Sequence, residues 1–132
     1  MPVVFTNGCF DILHRGHIEL FKYCKSLGDV LIVGIDCDKR VKKLKGDQRP
    51  INNEIDRKFM LESIKYINNV FIFKNEFELQ NLIKVVNPDI MVVGSDYKGK
   101  NVIGSEFASN LKFFERINEY STTKTIRNIT DR

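Results

Sequence analysis

The chain has 132 residues, 42% hydrophobic and 29% charged, with 21 lysines and arginines against 17 acidic residues and a net charge of +4. This is enough for one core in an ordinary globular balance, which excludes a disordered chain and makes a single domain over 1–132 the expectation. The positive excess favours anionic ligands without demanding nucleic acid, and three cysteines with no C-x-x-C pair indicate neither a disulfide framework nor a cysteine zinc site.

No basic segment with a long apolar run follows Met1, and no apolar run approaches membrane-spanning length. A soluble protein of the reducing cytoplasm is therefore expected. Val3-Val4-Phe5, closed by Asn7-Gly8, reads as a buried strand ending in a turn. From Arg15 the residues Ile18, Phe21, Cys24 and Leu27 recur at helical spacing until Gly28. The continuous apolar run 30–35 predicts a second strand, covered on both faces.

Residues 38–50 carry basic side chains at 39, 40, 42, 43, 45 and 49, and with Gly46 and Pro50 they read as a basic loop. Asn52 or Asn53 can cap a second helix with Glu54 and Asp56 in its first turn and a buried stripe of Ile55, Phe59, Met60, Ile64 and Ile67. A third strand over 70–73 and a third helix over 76–86 follow, the helix ended by Asn87-Pro88. A fourth strand over 90–93 runs into Gly94-Ser95-Asp96, repeating the apolar-then-glycine ending of the first. A weaker strand over 112–117 and a terminal helix over 121–129, capped by Ser121, complete the alternation.

Alternating strands and helices predict an α/β fold: a Rossmann-like open parallel sheet of about five strands in order 3-2-1-4-5, with helices on both faces. The first and fourth strands then flank the point where winding reverses, and Gly8 and Gly94 border one crevice there. Neither G-x-G-x-x-G nor a P-loop is present, so a phosphate must be held differently. His14 and His17 flank Gly16 at a helix start, where free N–H groups favour an anion and both imidazoles can face one phosphorus. The bland alternative is one capping and one packing histidine; a zinc pair is another, but no third ligand is evident from spacing.

His14-Arg15-Gly16-His17 resembles the H-x-G-H motif of the cytidylyltransferase-like nucleotidyltransferases, and Tyr120-Ser121-Thr122-Thr123-Lys124 resembles the family's C-terminal serine/threonine motif. The resemblance implies transfer of a nucleoside monophosphate from an NTP to a substrate phosphate, with Mg2+, release of pyrophosphate and no covalent enzyme intermediate. It implies His14 and His17 as the reaction-centre clamp, and Thr6, Asn7, Gly8, Cys9, Phe10 and Gly16 as the turn against the nucleotide, although packing is the ordinary role of Phe10. Ser121, Thr122 and Thr123 would help hold the triphosphate, and the family's commonly dimeric state makes a homodimer the expectation.

Lys42 and Lys45 are plausible phosphate ligands on the basic segment, and a solvated charged loop is their ordinary alternative. Arg57 stands where the resemblance places a substrate or phosphate arginine. Arg116 can grip a phosphate bidentately or be an ordinary strand arginine, and Arg127 falls one residue past the family's arginine and is not assigned. Asp96 is a candidate for nucleotide contact or metal ordering. Asp11 either fixes the turn or orders Mg2+ through water.

T-N-G-C-F-D at 6–11, L-K-G-x-x-R-P-I-N at 44–52 and G-S-D-Y at 94–97 are similar to the adenylyltransferases that form ADP-heptose from a heptose 1-phosphate. Arg116 followed by S-T-T-K is closer to glycerol-3-phosphate cytidylyltransferases, so ATP and CTP both stay open. A noncatalytic nucleotide-sensing or nucleic-acid-binding domain is the alternative of another class, and it would show a broader basic face with stacking aromatics.

Overall fold

Apolar runs closed by glycine or polar turns become five strands in the computed structural model, which describes residues 1–115 and 126. In chain order the elements are β1 (Val3–Gly8), α1 (Arg15–Ser26), β2 (Val30–Asp36), α2 (Asp38–Lys45), α3 (Glu54–Glu62), β3 (Asn69–Phe73), α4 (Glu76–Val86), β4 (Ile90–Gly94) and β5 (Asn110–Phe114). The sheet is wholly parallel in the order β3-β2-β1-β4-β5, as expected.

Successive strand residues point to opposite faces, so β1 feeds two cores. Val4 packs with Phe21, Cys24, Leu31 and Leu61 beneath α1 and α3. Phe5 packs with Phe73, Leu79, Ile83 and Met91 beneath α4. β1 pairs with β2 from Val3↔Val30 to Gly8↔Ile35, but with β4 only at Val4↔Ile90 and Phe5↔Met91. Beyond Phe5 the Thr6 hydroxyl donates to the Val92 carbonyl at 2.9 Å, a side-chain bond that bridges the neighbouring strands as they part. The crevice opens there.

Three expectations are corrected. The basic segment is not all loop: 38–45 forms α2, because lysine and arginine are good helix formers, Asp38 and the terminal lysines complement the helix dipole, and Val41 docks in the core. The Asp38 N–H also donates to Glu54 Oε1 at 3.0 Å, so α3 caps α2. On α3 the stripe is displaced: Ile55, Phe59 and Met60 are exposed, and Arg57 and Leu61 are buried. β5 starts earlier than the expected 112 and spans Asn110–Phe114, with residues 116 and 117 of the expected strand outside the described residues. The helix expected over 121–129 lies outside the described residues apart from residue 126.

Candidate active site

The turn after β1 is fixed from both sides. Phe10 adopts a left-handed φ of 50° and packs edge-on against His17 and Phe21, at centroid distances of 5.4 and 5.1 Å. Asp11 is buried and accepts from the Ile51 and Asn52 N–H groups at 2.7 and 2.8 Å and from Arg49 Nε at 3.1 Å. Its carboxylate thereby serves the segment before α3, with a side chain 0% exposed, which is the turn-fixing role of the two expected for it. A three-way bond of this kind satisfies a buried carboxylate that would otherwise be costly.

The histidines cap α1 and each other. His14 Nδ1 accepts from the Gly16 N–H at 3.0 Å, and the His14 N–H donates to His17 Nδ1 at 3.2 Å. The rings stack with centroids 3.8 Å apart. A ring nitrogen that accepts from an N–H carries no proton, so both neutral imidazoles hold theirs on Nε2. The capping and phosphate-facing readings are thus compatible: one nitrogen of each ring serves the helix and the other is a donor.

Arg57 is 1% exposed and spans the floor below this turn. Its Nη1 donates to the Cys9 and Asp36 carbonyls at 2.9 and 2.7 Å, its Nε to the Asn52 carbonyl at 3.0 Å, and its Nη2 to Asp38 Oδ1 at 2.8 Å. The structure therefore does not bring Arg57 to the cleft; it ties the ends of β1 and β2 to the starts of α2 and α3. Burial pushes the Cys9 thiol above its ordinary value, with the Arg57 guanidinium acting in the opposite direction. That environment disfavours a thiolate nucleophile.

The crevice is an open cleft of about 470 Å3. Its lining brings together Thr6, Asn7, Gly8, Cys9, Phe10, Asp11, His14, Gly16, His17, Lys45 and Asp96. Lys42 instead lies beside Asp38, Asn52 and Asp56 in a separate shallow pocket, because Lys45 is nearly one helical turn further along α2. Arg116, Ser121, Thr122 and Thr123 lie outside the described residues.

Several lining groups were not singled out from sequence: Asp36, Arg40, Phe73, Val102 and Ile103; Arg49, a less secure arginine than Arg57 in the sequence, and Tyr97 of G-S-D-Y also line the cleft. Arg40 Nε donates to Asp36 Oδ1 at 2.7 Å and its guanidinium lies 5.8 Å from the Phe73 ring centroid. The four-residue spacing of Asp36 and Arg40 was a visible signal, hidden by reading the segment as a loop. Among the described residues no three His, Cys, Asp or Glu side chains converge to hold a metal ion, and no helix is long and apolar enough to cross a membrane.

Known proteins resemble the chain in sequence and in fold. The chain is 49% identical over 124 residues to the bifunctional protein HldE of Nitratiruptor sp., covering 94% of this chain and 27% of that relative. It is 49% identical over 127 residues to the bifunctional protein HldE of Campylobacter fetus, covering 96% and 28%. The chain thus spans about a quarter of the length of the curated relatives it matches.

Among solved structures, the lipopolysaccharide core biosynthesis protein from Thermoplasma volcanium superposes with a TM-score of 0.70 at 27% identity, over 86% of this chain and 97% of that one. Pantothenate synthetase from Thermus thermophilus shares the fold, with a TM-score of 0.61 at 12% identity over 97% of this chain and 64% of that one. The family model described as cytidylyltransferase-like matches residues 5–128. On that match, with H-x-G-H at the start of α1 beside the switch point of the sheet, the chain belongs to the cytidylyltransferase-like nucleotidyltransferases.

Proposed function

We propose that this domain transfers AMP from ATP to a heptose 1-phosphate, forming ADP-heptose and pyrophosphate. The observation that carries it is the reciprocal histidine cap, which sets the proton of each ring on Nε2 at a helix N-terminus in the same cleft as Lys45. An oxygen of the acceptor phosphate attacks the α-phosphorus, the bond from that phosphorus to the bridging oxygen breaks, and pyrophosphate leaves with the electron pair. The nucleophile is already ionised, so positioning and charge neutralisation are what the protein must supply. His14 and His17 donate to the oxygens that gain charge, and Lys45 follows the charge onto the leaving group.

The HldE relatives and the lipopolysaccharide core neighbour support the heptose acceptor over glycerol 3-phosphate with CTP, the second reading. Magnesium belongs to the proposal as an ion carried on the triphosphate, since Asp11 is committed elsewhere and the described residues offer no cluster of their own. A homodimer and a cytoplasmic setting are part of the same proposal. Pyrophosphate release should be assayed with ATP and CTP against heptose 1-phosphate and glycerol 3-phosphate. Turnover with ATP and heptose 1-phosphate alone is the expected result; tight nucleotide binding without turnover of any acceptor would favour a sensor.

A further inference from the structure

The histidine pair stands between two unlike wings of the cleft. Toward β4 and β5 Val93, Val102, Ile103 and Phe114 form an apolar surface suited to a flat base, edged by Asp96, Tyr97 and Asn101. Toward β2 and β3 it is Asp36, Arg40, Lys45 and Arg49, with Phe73 beneath Arg40. Two reactants meet at the histidines, one with an aromatic face and one made of hydroxyls and a phosphate. The charged wing suits the second.

We infer that the Asp36–Arg40 pair recognises the hydroxyl groups of the acceptor sugar and sets acceptor specificity. The inference rests on the transfer reaction proposed above. Arg40 is pinned by Asp36 at its Nε and by the Phe73 ring, and the two side chains are only 18% and 13% exposed. Its Nη groups have no hydrogen-bond acceptor among the described residues. A hydroxyl both donates and accepts, so neighbouring hydroxyls match a guanidinium and a carboxylate held side by side. Enclosure raises the cost of leaving such groups unmatched, which is what makes a hydrogen-bonding site selective. Arg40 differs in this from Lys45, whose mobile ammonium suits phosphate rather than a fixed hydroxyl pattern.

Arg40→Gln and Arg40→Lys, each checked for folding by circular dichroism and melting, test the assignment. Affinities for heptose 1-phosphate and for a nonhydrolysable ATP analogue should be measured by calorimetry beside steady-state kinetics. In both variants the sugar phosphate affinity should fall, and its KM rise, by about tenfold or more, with the ATP analogue bound as in the parent and kcat largely kept. Arg40→Gln should also lose the preference for heptose 1-phosphate over glycerol 3-phosphate. Should one variant fail to fold, the other decides whether Arg40 holds the sugar.

Unchanged sugar phosphate affinity, or an equal loss for the ATP analogue, would overturn the inference by making Arg40 a structural or triphosphate group. If the parent protein binds the sugar phosphate but releases no pyrophosphate, the transfer reaction is refuted, and Arg40 is still judged by binding. If the parent binds no sugar phosphate, the inference falls even where another acceptor is turned over.

Discussion

The two walls of the cleft are built by different means. On the β2 and β3 side, contacts run between segments far apart in sequence: Asp11 receives donors from residues 49, 51 and 52, and Arg57 reaches the carbonyls of Cys9 and Asp36. On the β4 and β5 side the chain closes on itself through short turns, Lys98 N–H to the Ser95 carbonyl, Ser105 to Val102 and Phe107 to Gly104. One wall is fixed by buried charge and the other by local backbone bonds over apolar side chains.

The largest effect should come from the group between the walls. His17→Ala removes a ring whose Nδ1 accepts the capping His14 N–H and which lines the cleft, and should cost about 2.7–4 kcal/mol of transition-state stabilisation. Nucleotide affinity measured in parallel should change far less, and equal turnover in the variant would sink the clamp. The charged wall is then broken at its centre by Arg57→Met. Urea unfolding should show a loss of about 3 kcal/mol, the lower end for removing one half of a buried pair, because Asp38 is still 35% exposed. A loss within about 0.5 kcal/mol, the range of an ordinary surface change, would mean that charge does not hold this wall.

The opposite wall is probed by Gly104→Ala. Gly104 has a φ of +81°, and an added Cβ would run into the Ile83 side chain. A cost of about 1–2 kcal/mol in the same unfolding experiment is expected, smaller than that of Arg57→Met. The reverse order would make the local turns the more demanding structure and invert the comparison.

The strand order and the placement of H-x-G-H were legible in sequence because both depend on short periodic signals: apolar runs ended by glycine, and two histidines at a helix start. The errors share a cause. Helix α2 was hidden because its core contact is the single residue Val41, and five basic side chains in eight residues carry no stripe. On α3, hydrophobicity predicts Ile55, Phe59 and Met60 inward, whereas the buried positions belong to Leu61 and to Arg57, whose donors are met by carbonyls that only the folded chain assembles. Arg40 needed Phe73, thirty-three residues away, to be seen as a held group rather than one more solvated charge.

The bonds of Asp11 and Arg57 also act as a gauge of loop length. Asp11 meets Ile51 and Asn52 within hydrogen-bond distance, and Arg57 meets Cys9, so an inserted residue in the turn 9–14 would have to be matched in the segment 46–53 to keep both contacts. Among the described residues the segment 98–104 has no comparable side-chain hydrogen bond to a distant loop, and its turns close over three residues. Changes of length in this chain should therefore be borne better on the β4 and β5 side, where they reshape the cleft while the turn after β1 keeps its dimensions.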